Sequence, residues 1–545
     1  MNYNVQKVAL TDVFANDNNI IKKVQRHFGS VESGNPEIVR GTLYEGKDPV
    51  DVLKDWNKHL GKVAKEWPSL YEFETDMRAK VGPMSYMQPL DKRMDDIGSY
   101  WSSKDLNNAT NTIDSRAVNL AWDEFKVGFK SRVKPMSFGA TLDSMKLTTQ
   151  SGSPYYSSFK REVANYTIPF TSRWDSTGEV LLTRYANNVV SGDRTKWYVT
   201  PAVLGWRGQE GGPTVDDTKQ RTIWMFPFAV SIAELSVYIP LIARFQLFNL
   251  NPAWLGSDAV DYAVTNLFAT KGKDDLIICT DFTKYDQHFN RILQNTSEEL
   301  INRMLDSGSA STRWLENWYD VKYRIPLMIS DDTILTGRHG MGSGSGGTNF
   351  DETMAHRALQ HAAAMHSNAK LNRYSMCLGD DGILSYPGIT PEDVTSIYTD
   401  LGKVEMQLSK QTAASDWCVY LRRWYHRDYI LNGINRGVYP SMRALGRLMY
   451  QERWYYGWSA KKVALRQLSI LENCRFHPMR DEFLKFCIKG DKYRLGLDIP
   501  GFMDNIQREF DEARSDDASY LSYLATYDRR PLSSWWVVNE LRKLR

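Results

Sequence analysis

The stretch Met376-Cys377-Leu378-Gly379-Asp380-Asp381-Gly382-Ile383-Leu384-Ser385-Tyr386 constrains the fold more than any other, because two adjacent acids sit between two short apolar runs with a glycine on either side. Gly-Asp-Asp-Gly supplies residues that tolerate φ > 0, which tight two-residue hairpin turns demand, while Met376, Leu378, Ile383 and Tyr386 suit half-buried strands. The stretch therefore predicts a β-hairpin with its acids at the tip. Taken alone, such a turn is most often only a turn. Its chemistry depends on what the rest of the chain brings beside it.

Upstream, Asp275-Leu276-Ile277-Ile278-Cys279-Thr280-Asp281 is a nearly continuous apolar run ending in an acid. Such a run predicts a buried central strand. An acid emerging where a rigid strand ends is well placed to hold a cation. Asp286 lies five residues on, in a turn, where a purely structural reading makes it the N-cap of a following helix. Gly340 to Asn349 is a glycine loop feeding a predicted long helix over 350–370. It lacks the Gly-Lys-Ser/Thr ending of a P-loop, which excludes an ATPase of that type. His356, His361 and His366 lie on this helix, but steps of five rotate each by about 500°, so they share no face and are read as structural. Thr390-Pro391-Glu392-Asp393 is a capping box opening a helix that ends near Gly402.

In order, these pieces make a βαββαβ plan whose two central strands can lie side by side, bringing Asp281 against Asp380 and Asp381. Carboxylates about 4 Å apart repel by roughly 4 kcal/mol at an effective dielectric near 20, so the cluster calls for a divalent cation. Hard oxygen ligands with room for water favour two Mg²⁺, with Mn²⁺ as a substitute. Two such ions, about 3.5 to 4 Å apart, suit an in-line phosphoryl displacement.

Length and composition set the frame for this centre. At 545 residues the chain predicts two to four interwoven domains, and 42% apolar with 24% charged content is that of a soluble globular protein. The net charge is only +3, but residues 421–490 hold 14 Lys and Arg against 5 Asp and Glu, a local +9 that leaves −6 for the remainder. Five widely spaced cysteines without a Cys-x-x-Cys pair argue against a zinc module or a disulfide framework and fit a reducing compartment. The longest apolar region, Phe226 to Phe248, is interrupted by Glu234, Pro240 and Arg244, so no membrane span is expected.

Elsewhere, Lys219 to Trp224 alternates as a strand and points Lys219 and Arg221 to one side, with Arg207 a dozen residues earlier. Two cations on one face form a phosphate site, or else a charged edge strand that resists aggregation. Val419 to Tyr425 predicts one strand carrying the paired Arg422 and Arg423. From about 430 onward the chain is mainly helical. Its first half joins the basic cluster to Trp454, Tyr455, Tyr456 and Trp458, a mixture suited to tracking a nucleic-acid backbone and stacking on bases. Residues 1 to 80 carry no motif that chemistry requires.

The ordered motifs resemble those of the viral RNA-dependent RNA polymerases, over roughly 150 to 425, and their texture is most like the compact polymerases of small double-stranded-RNA viruses, picobirnaviruses in particular. Asp281 to Asp286 is similar to the first palm motif, Ser343-Gly344 with Thr348 and Asn349 to the second, and Gly379-Asp380-Asp381 to the third. Lys410 matches the lysine of the fourth, and Tyr420 to Arg423 the primer-grip strand. Lys219 and Arg221 match the basic motif that escorts the triphosphate, and Ser151 to Lys160 resembles the template-entry motif.

The resemblance implies an α/β right hand with a mainly helical thumb. Fingers would cover 81–270 and 295–340, palm 271–294 and 341–430, and thumb with C-terminal tail 431–545, with 1–80 bridging fingers and thumb. It implies Asp281 and Asp380 as principal metal ligands, Asp381 in support, and Lys410 as general acid to pyrophosphate. Asp286 and Asn349 would read the ribose 2′-OH beside Ser343, Gly344 and Thr348. Lys219 and Arg221 would hold the triphosphate, and Arg207, Ser151, Lys160, Arg422 and Arg423 would meet RNA. Many relatives place an asparagine four residues after the threonine, where this chain has Glu352. Lys403 is a weaker rival to Lys410. An aromatic among Trp454 to Trp458, or Trp535 and Trp536, would support primer-independent initiation. Partners would be template and product RNA, NTPs and a capsid protein, but no membrane, for a monomeric polymerase in the virion interior and host cytoplasm. Two other functions fit less well. A reverse transcriptase would exclude the 2′-OH with a bulky residue where Asp286 stands, and a non-catalytic RNA-packaging protein gains nothing from acids clustered near phosphate.

Overall fold

The computed structural model describes the whole chain except residues 1–2, 16, 104–108, 169–170, 172–199, 456, 517–520, 522–529 and 545. Tyr456 thus lies outside the described residues. The described residues form two main sheets. The first is five-stranded and joins distant segments: β1 (Asn4–Lys7), β2 (Ala202–Gln209) and β3 (Lys219–Met225), with two later strands, in the order β1-β6-β5-β2-β3. The second is four-stranded and antiparallel, in the order β7-β8-β4-β9. Its first strand is β4 (Ile277–Thr280). The chain then leaves to add β5 (Leu327–Met328) and β6 (Thr333–Thr336) to the other sheet, and returns as β7 (Met376–Leu378), β8 (Asp381–Leu384) and β9 (Thr412–Ala414).

The continuous apolar run before Asp281 follows from burial of both faces of this sheet. Ile278 and Leu384 face the helices Arg291–Met304, Thr348–His366 and Pro391–Gly402, whose Leu300, Met354, Leu359 and Val394 join the same core. Ile277 and Ile383 face the other way, onto Val260, Val264 and Leu267 of the helix Ser257–Thr270 and onto Cys418 and Tyr425. The βαββαβ order is thus realised, with β5 and β6 as an excursion between the second and third pieces. As the capping box predicts, Thr390 Oγ1 accepts from Asp393 N–H at 3.1 Å and opens the third helix.

Two local expectations are corrected. Val419 to Tyr425 is two strands, not one: β10 (Trp417–Tyr420) and β11 (Arg423–His426) form a hairpin whose two-residue turn, Leu421 and Arg422, has φ of +50° and +61°. Neither residue is the glycine or asparagine that announces such a turn. The region around Glu234, Pro240 and Arg244 is a single helix, Phe228–Leu247, with the proline inside it. It is long and apolar enough to cross a bilayer by length and composition, and 67% of its apolar window is buried within the fold as a core helix.

The N-terminal segment spans both ends of the molecule. β1 pairs with β6, and His27 Nε2 meets Leu204 O at 2.7 Å. The helices Pro49–His59 and Pro68–Ala79 pack instead against the helical C-terminal part, through Val52, Trp56, Leu70 and Met77 on Met442, Leu445 and Phe483. Glu74, fully buried, receives the N–H groups of Ser441 and Met442 at 2.7 and 2.9 Å, and its Oε1 lies 2.8 Å from His477 Nε2. A carboxylate at the positive end of the helix Ser441–Met449 is favourably placed.

Candidate active site

Three acids meet at one end of the four-stranded sheet because of its register. The last pair of β4 and β8 is Thr280↔Gly382, so the next position along each strand is Asp281 and Asp381. Asp380 occupies the two-residue turn with Gly379, whose φ is +59°. Gly382 serves a different need: a Cβ there would lie 2.5 Å from the His356 ring and 2.8 Å from Thr280 Oγ1.

The helix Thr348–His366 holds the hairpin from beneath. Gly379 N–H donates to Thr353 Oγ1 at 2.9 Å, His356 Nδ1 lies 2.8 Å from Gly379 O, and Gln360 Nε2 donates to Met376 O at 2.9 Å. Burial drives the His356 imidazole down to about 4, so it is neutral here. His361 and His366 pair on other faces, with Glu124 at 3.1 Å and Asp114 at 3.3 Å, so the three histidines are structural as their spacing predicts.

Asp380 is reached by solvent at the hairpin tip yet ringed by protein. That enclosure, reinforced by Asp286, raises its carboxyl above the usual range, while Arg221 and Arg422 pull it down. Enclosure and the Asp380 charge push Asp381 up to about 7, opposed by Arg422 and by the Leu421 N–H, which donates to Asp381 Oδ2 at 3.0 Å. The turn of the β10–β11 hairpin is thereby tied to the second acid. Among the described residues no three acidic, histidine or cysteine side chains converge closely enough to cage an ion by themselves. That suits a hard cation held by one or two carboxylates and completed by water and substrate phosphate, and the carboxyls are raised by enclosure and mutual crowding that the nearby arginines only partly offset.

Cations face these acids from two directions. Lys219, on the edge strand β3, is held below the ordinary lysine range by burial and by Arg422, Lys80 and Arg221, with Asp281 acting the other way. Arg422 stands exposed at its hairpin tip. The other basic positions are engaged within the protein. Arg207 makes a bidentate pair with Glu452 at 2.9 Å, and Arg423 donates to Asn473 O at 3.2 Å and lies over Tyr439. Lys160 lies over Phe228, with burial bringing it down to about 8. Ser151 is 1% exposed and its hydroxyl accepts from Ser157 N–H, so this side chain braces a loop and is not presented to RNA. Lys410 is exposed at the end of a short 3-10 turn, Leu408–Lys410.

The glycine loop closes the site. Ser343 O accepts from Trp224 N–H at 2.9 Å, and Ser343 Oγ donates to Asp286 Oδ2. Asp286 is therefore not an N-cap; Asn290 caps the following helix by accepting from Ile292 N–H at 3.0 Å. Gly344 has φ +138°, and a Cβ there would sit 2.1 Å from Trp224 O. Thr348 Oγ1 turns back to Ser345 O at 3.1 Å. Asn349 Oδ1 is taken by Trp254 Nε1 at 2.9 Å. Glu352, 4% exposed, lies against Asp286, and its Oε1 has no partner among the described residues; burial and the Asp286 and Asp380 charges hold its carboxyl well above the usual range.

Sequence reasoning reads His356 as structural but does not connect it with the acidic hairpin, since nothing near it in the chain specifies Gly379 as its partner. It also missed Glu234, which receives Ser345 Oγ at 2.7 Å and Gly346 N–H at 2.8 Å. An acid in an otherwise apolar helix was the available sign. Of the aromatics considered for initiation, Trp454 is 58% exposed, whereas Trp535 is 1% exposed against Phe510, which removes it from that role.

An antiparallel sheet that presents paired acids at one end, faced by cations and a glycine loop, defines a template-directed nucleotidyl polymerase with a right-hand fold. The family profile described as viral RNA-dependent RNA polymerase matches residues 83–442. A "Potential RNA-dependent RNA polymerase" of Human picobirnavirus (strain Human/Thailand/Hy005102/-) is 47% identical over 533 residues, 96% of this chain and 97% of that protein. Crystal structures of a human picobirnavirus RNA-dependent RNA polymerase, and of its insertion-loop deletion mutant, each superpose with a TM-score of 0.87 at 44% identity, covering 99% of this chain and 100% of theirs. The chain belongs to the viral RNA-dependent RNA polymerase family. Its activity is RNA-directed RNA synthesis, a nucleotidyl transfer that uses an RNA template and NTPs.

Proposed function

We propose that Asp281 and Asp380, supported by Asp381, hold the divalent cations of this reaction, and that the enzyme copies its viral genome by two-metal transfer without a primer. The observation that carries this is the meeting of three acids where β4 ends and β8 begins, at a point faced by Lys219, Arg221 and Arg422. When bound, Mg²⁺ or Mn²⁺ would activate the attacking hydroxyl and stabilise the leaving oxygen. The chain's own residues do the rest. Lys219 and Arg221 receive the triphosphate, Arg422 offsets charge beside the acids, and Lys410 delivers a proton to the departing pyrophosphate. Trp454 is the exposed aromatic on which an initiating nucleotide stacks. Asp286 reads the ribose 2′-OH, with Asn349 or Glu352 as its partner. The polymerase works as a monomer inside the capsid, in contact with capsid protein, and in the host cytoplasm.

The deciding assay supplies purified protein with a short single-stranded RNA, four NTPs and Mg²⁺ or Mn²⁺, and compares wild type with Asp380→Ala. Template-length product from the wild type alone is expected, with the variant reduced by roughly 10³-fold, equivalent to several kcal/mol of charge stabilisation. Equal product from both would sink the assignment. For the ribose, Asp286→Ala is expected to narrow the preference for NTP over dNTP, and the same measurement on Asn349→Ala and Glu352→Ala identifies the partner. Unchanged discrimination in Asp286→Ala would place ribose reading elsewhere.

A further inference from the structure

The main chain of the first acid is held by one side chain outside the set of catalytic candidates. Pairing between β4 and β9 runs Ile277↔Ala414, Ile278↔Ala413 and Cys279↔Thr412, and contact resumes at Phe282↔Met406, where Thr283 N–H donates to Glu405 O at 2.9 Å. Between these points residues 407–411 leave the ladder, carrying Lys410 outward on the 3-10 turn. Gln411 fills the interrupted rung. Its Oε1 accepts from Asp281 N–H at 2.9 Å and its Nε2 donates to Asp281 O at 2.9 Å, as a neighbouring strand would. The same Nε2 donates to Gln407 O at 3.0 Å, closing the base of the turn that presents Lys410.

We propose that Gln411 is a positioning residue that sets Asp281 and Lys410 relative to each other through one primary amide. The proposal rests on the reading of Asp281 as a metal ligand. The chemistry is selective, because a terminal group here must accept from an N–H and donate to two carbonyl oxygens at once. A primary amide does so, a carboxylate of the same size has acceptors only, and alanine has neither. A glutamine that merely filled space at a sheet edge would be replaced by glutamate with little loss.

The test measures nucleotide addition by the full-length protein carrying Gln411→Ala or Gln411→Glu, with NTP and Mg²⁺ titrated separately and thermal midpoints recorded. Gln411→Ala is expected to lower kcat about tenfold, to leave KM for NTP nearly unchanged, and to raise the Mg²⁺ concentration for half activation several-fold, as loss of a group that orients a ligand does. Gln411→Glu should do at least as much despite matching the native side chain in size. Wild-type kcat and metal half-activation in Gln411→Glu would overturn the proposal. So would a loss of activity in Gln411→Ala that accompanies a lowered thermal midpoint without any change in metal dependence. Asp281→Ala run alongside separates the two readings: if it stays active, the metal-ligand reading has failed, and if it is dead while both Gln411 variants are normal, only the positioning role has failed.

Discussion

The acidic hairpin and the glycine loop are both tight turns that carry chemistry, and both are served by the helix Thr348–His366, yet they are held in different ways. The hairpin lies across the middle of that helix and is fixed by Thr353, His356 and Gln360, all of them uncharged. The loop feeds the start of the helix and is fixed by the buried carboxyl of Glu234 and by the edge strand through Trp224. Neutral donors and acceptors hold the acids without adding to or cancelling their charge, so that charge stays available for cations. The loop presents hydroxyl and backbone groups and can be anchored by an acid, at the cost of desolvating that acid.

The largest effect that would break this contrast is expected at Gly344. Its φ of +138° and the 2.1 Å approach of a built Cβ to Trp224 O leave no room for a methyl group. Gly344→Ala should push the loop off β3 and lower nucleotide addition by about 10²-fold, the scale of an ångström-sized misplacement, so its main effect is read in activity. Activity near wild type would mean that the loop is not held at its contact with β3 during the reaction.

The hairpin should respond in the opposite sense, through stability. His356→Ala removes a fully buried ring that meets Gly379 O, approaches Thr280 Oγ1 at 3.3 Å and packs against Phe282, and should destabilise by about 2–4 kcal/mol. Denaturant unfolding measures it. A smaller step is Glu234→Gln, which keeps the volume but leaves one carbonyl oxygen to serve both Ser345 Oγ and Gly346 N–H, and should cost about 1–2 kcal/mol with a few-fold loss of activity. If Glu234→Gln proves the more damaging of the two to stability, the contrast between anchoring by uncharged side chains and by a buried carboxyl is wrong.

This difference also explains what was legible in the sequence. The hairpin and the strand before Asp281 were visible because apolar runs, glycines and acids are local signals, and the capping box at Thr390 placed the next helix in the same way. Their meeting followed from the order of the elements and the register of an antiparallel sheet. The supports were not visible. His356, Glu234 and Gln411 act across 23, 111 and 130 residues of sequence, and nothing near each of them specifies its partner. The turn at Leu421 and Arg422 was hidden because neither is a turn former and the flanking Val419, Tyr420, Trp424 and Tyr425 favour strands; tertiary contact with Asp381 accompanies the turn. Arg207 and Arg423 had the right chemistry for RNA, but their side chains are engaged by Glu452 and Asn473, and the Oδ1 of Asn349 is taken by Trp254.

The smallest expected effect concerns charge at the hairpin itself. A carboxyl whose pKa is raised by folding binds its proton more tightly in the folded state, so the stability linked to it falls as pH rises from the unfolded value near 4 toward the folded one. For Asp381 that window runs up to about 7, and Asp380 shifts in the same direction. Buried His339 and His356, each lowered to about 4, work oppositely: their contribution grows as pH rises from about 4 toward 6.5, which masks the carboxyls in a plain pH scan. The two can be separated by cation, since only the acids are relieved by it. The rise in thermal midpoint caused by saturating Mg²⁺ or Mn²⁺ should therefore increase between pH 5.5 and 8, by about a few degrees, and should vanish in a variant carrying both Asp380→Asn and Asp381→Asn. A cation effect of equal size at both pH values would show that the hairpin acids are already ionised and unstrained at the lower one, and would remove the distinction between a hairpin that stores charge repulsion and a loop that does not.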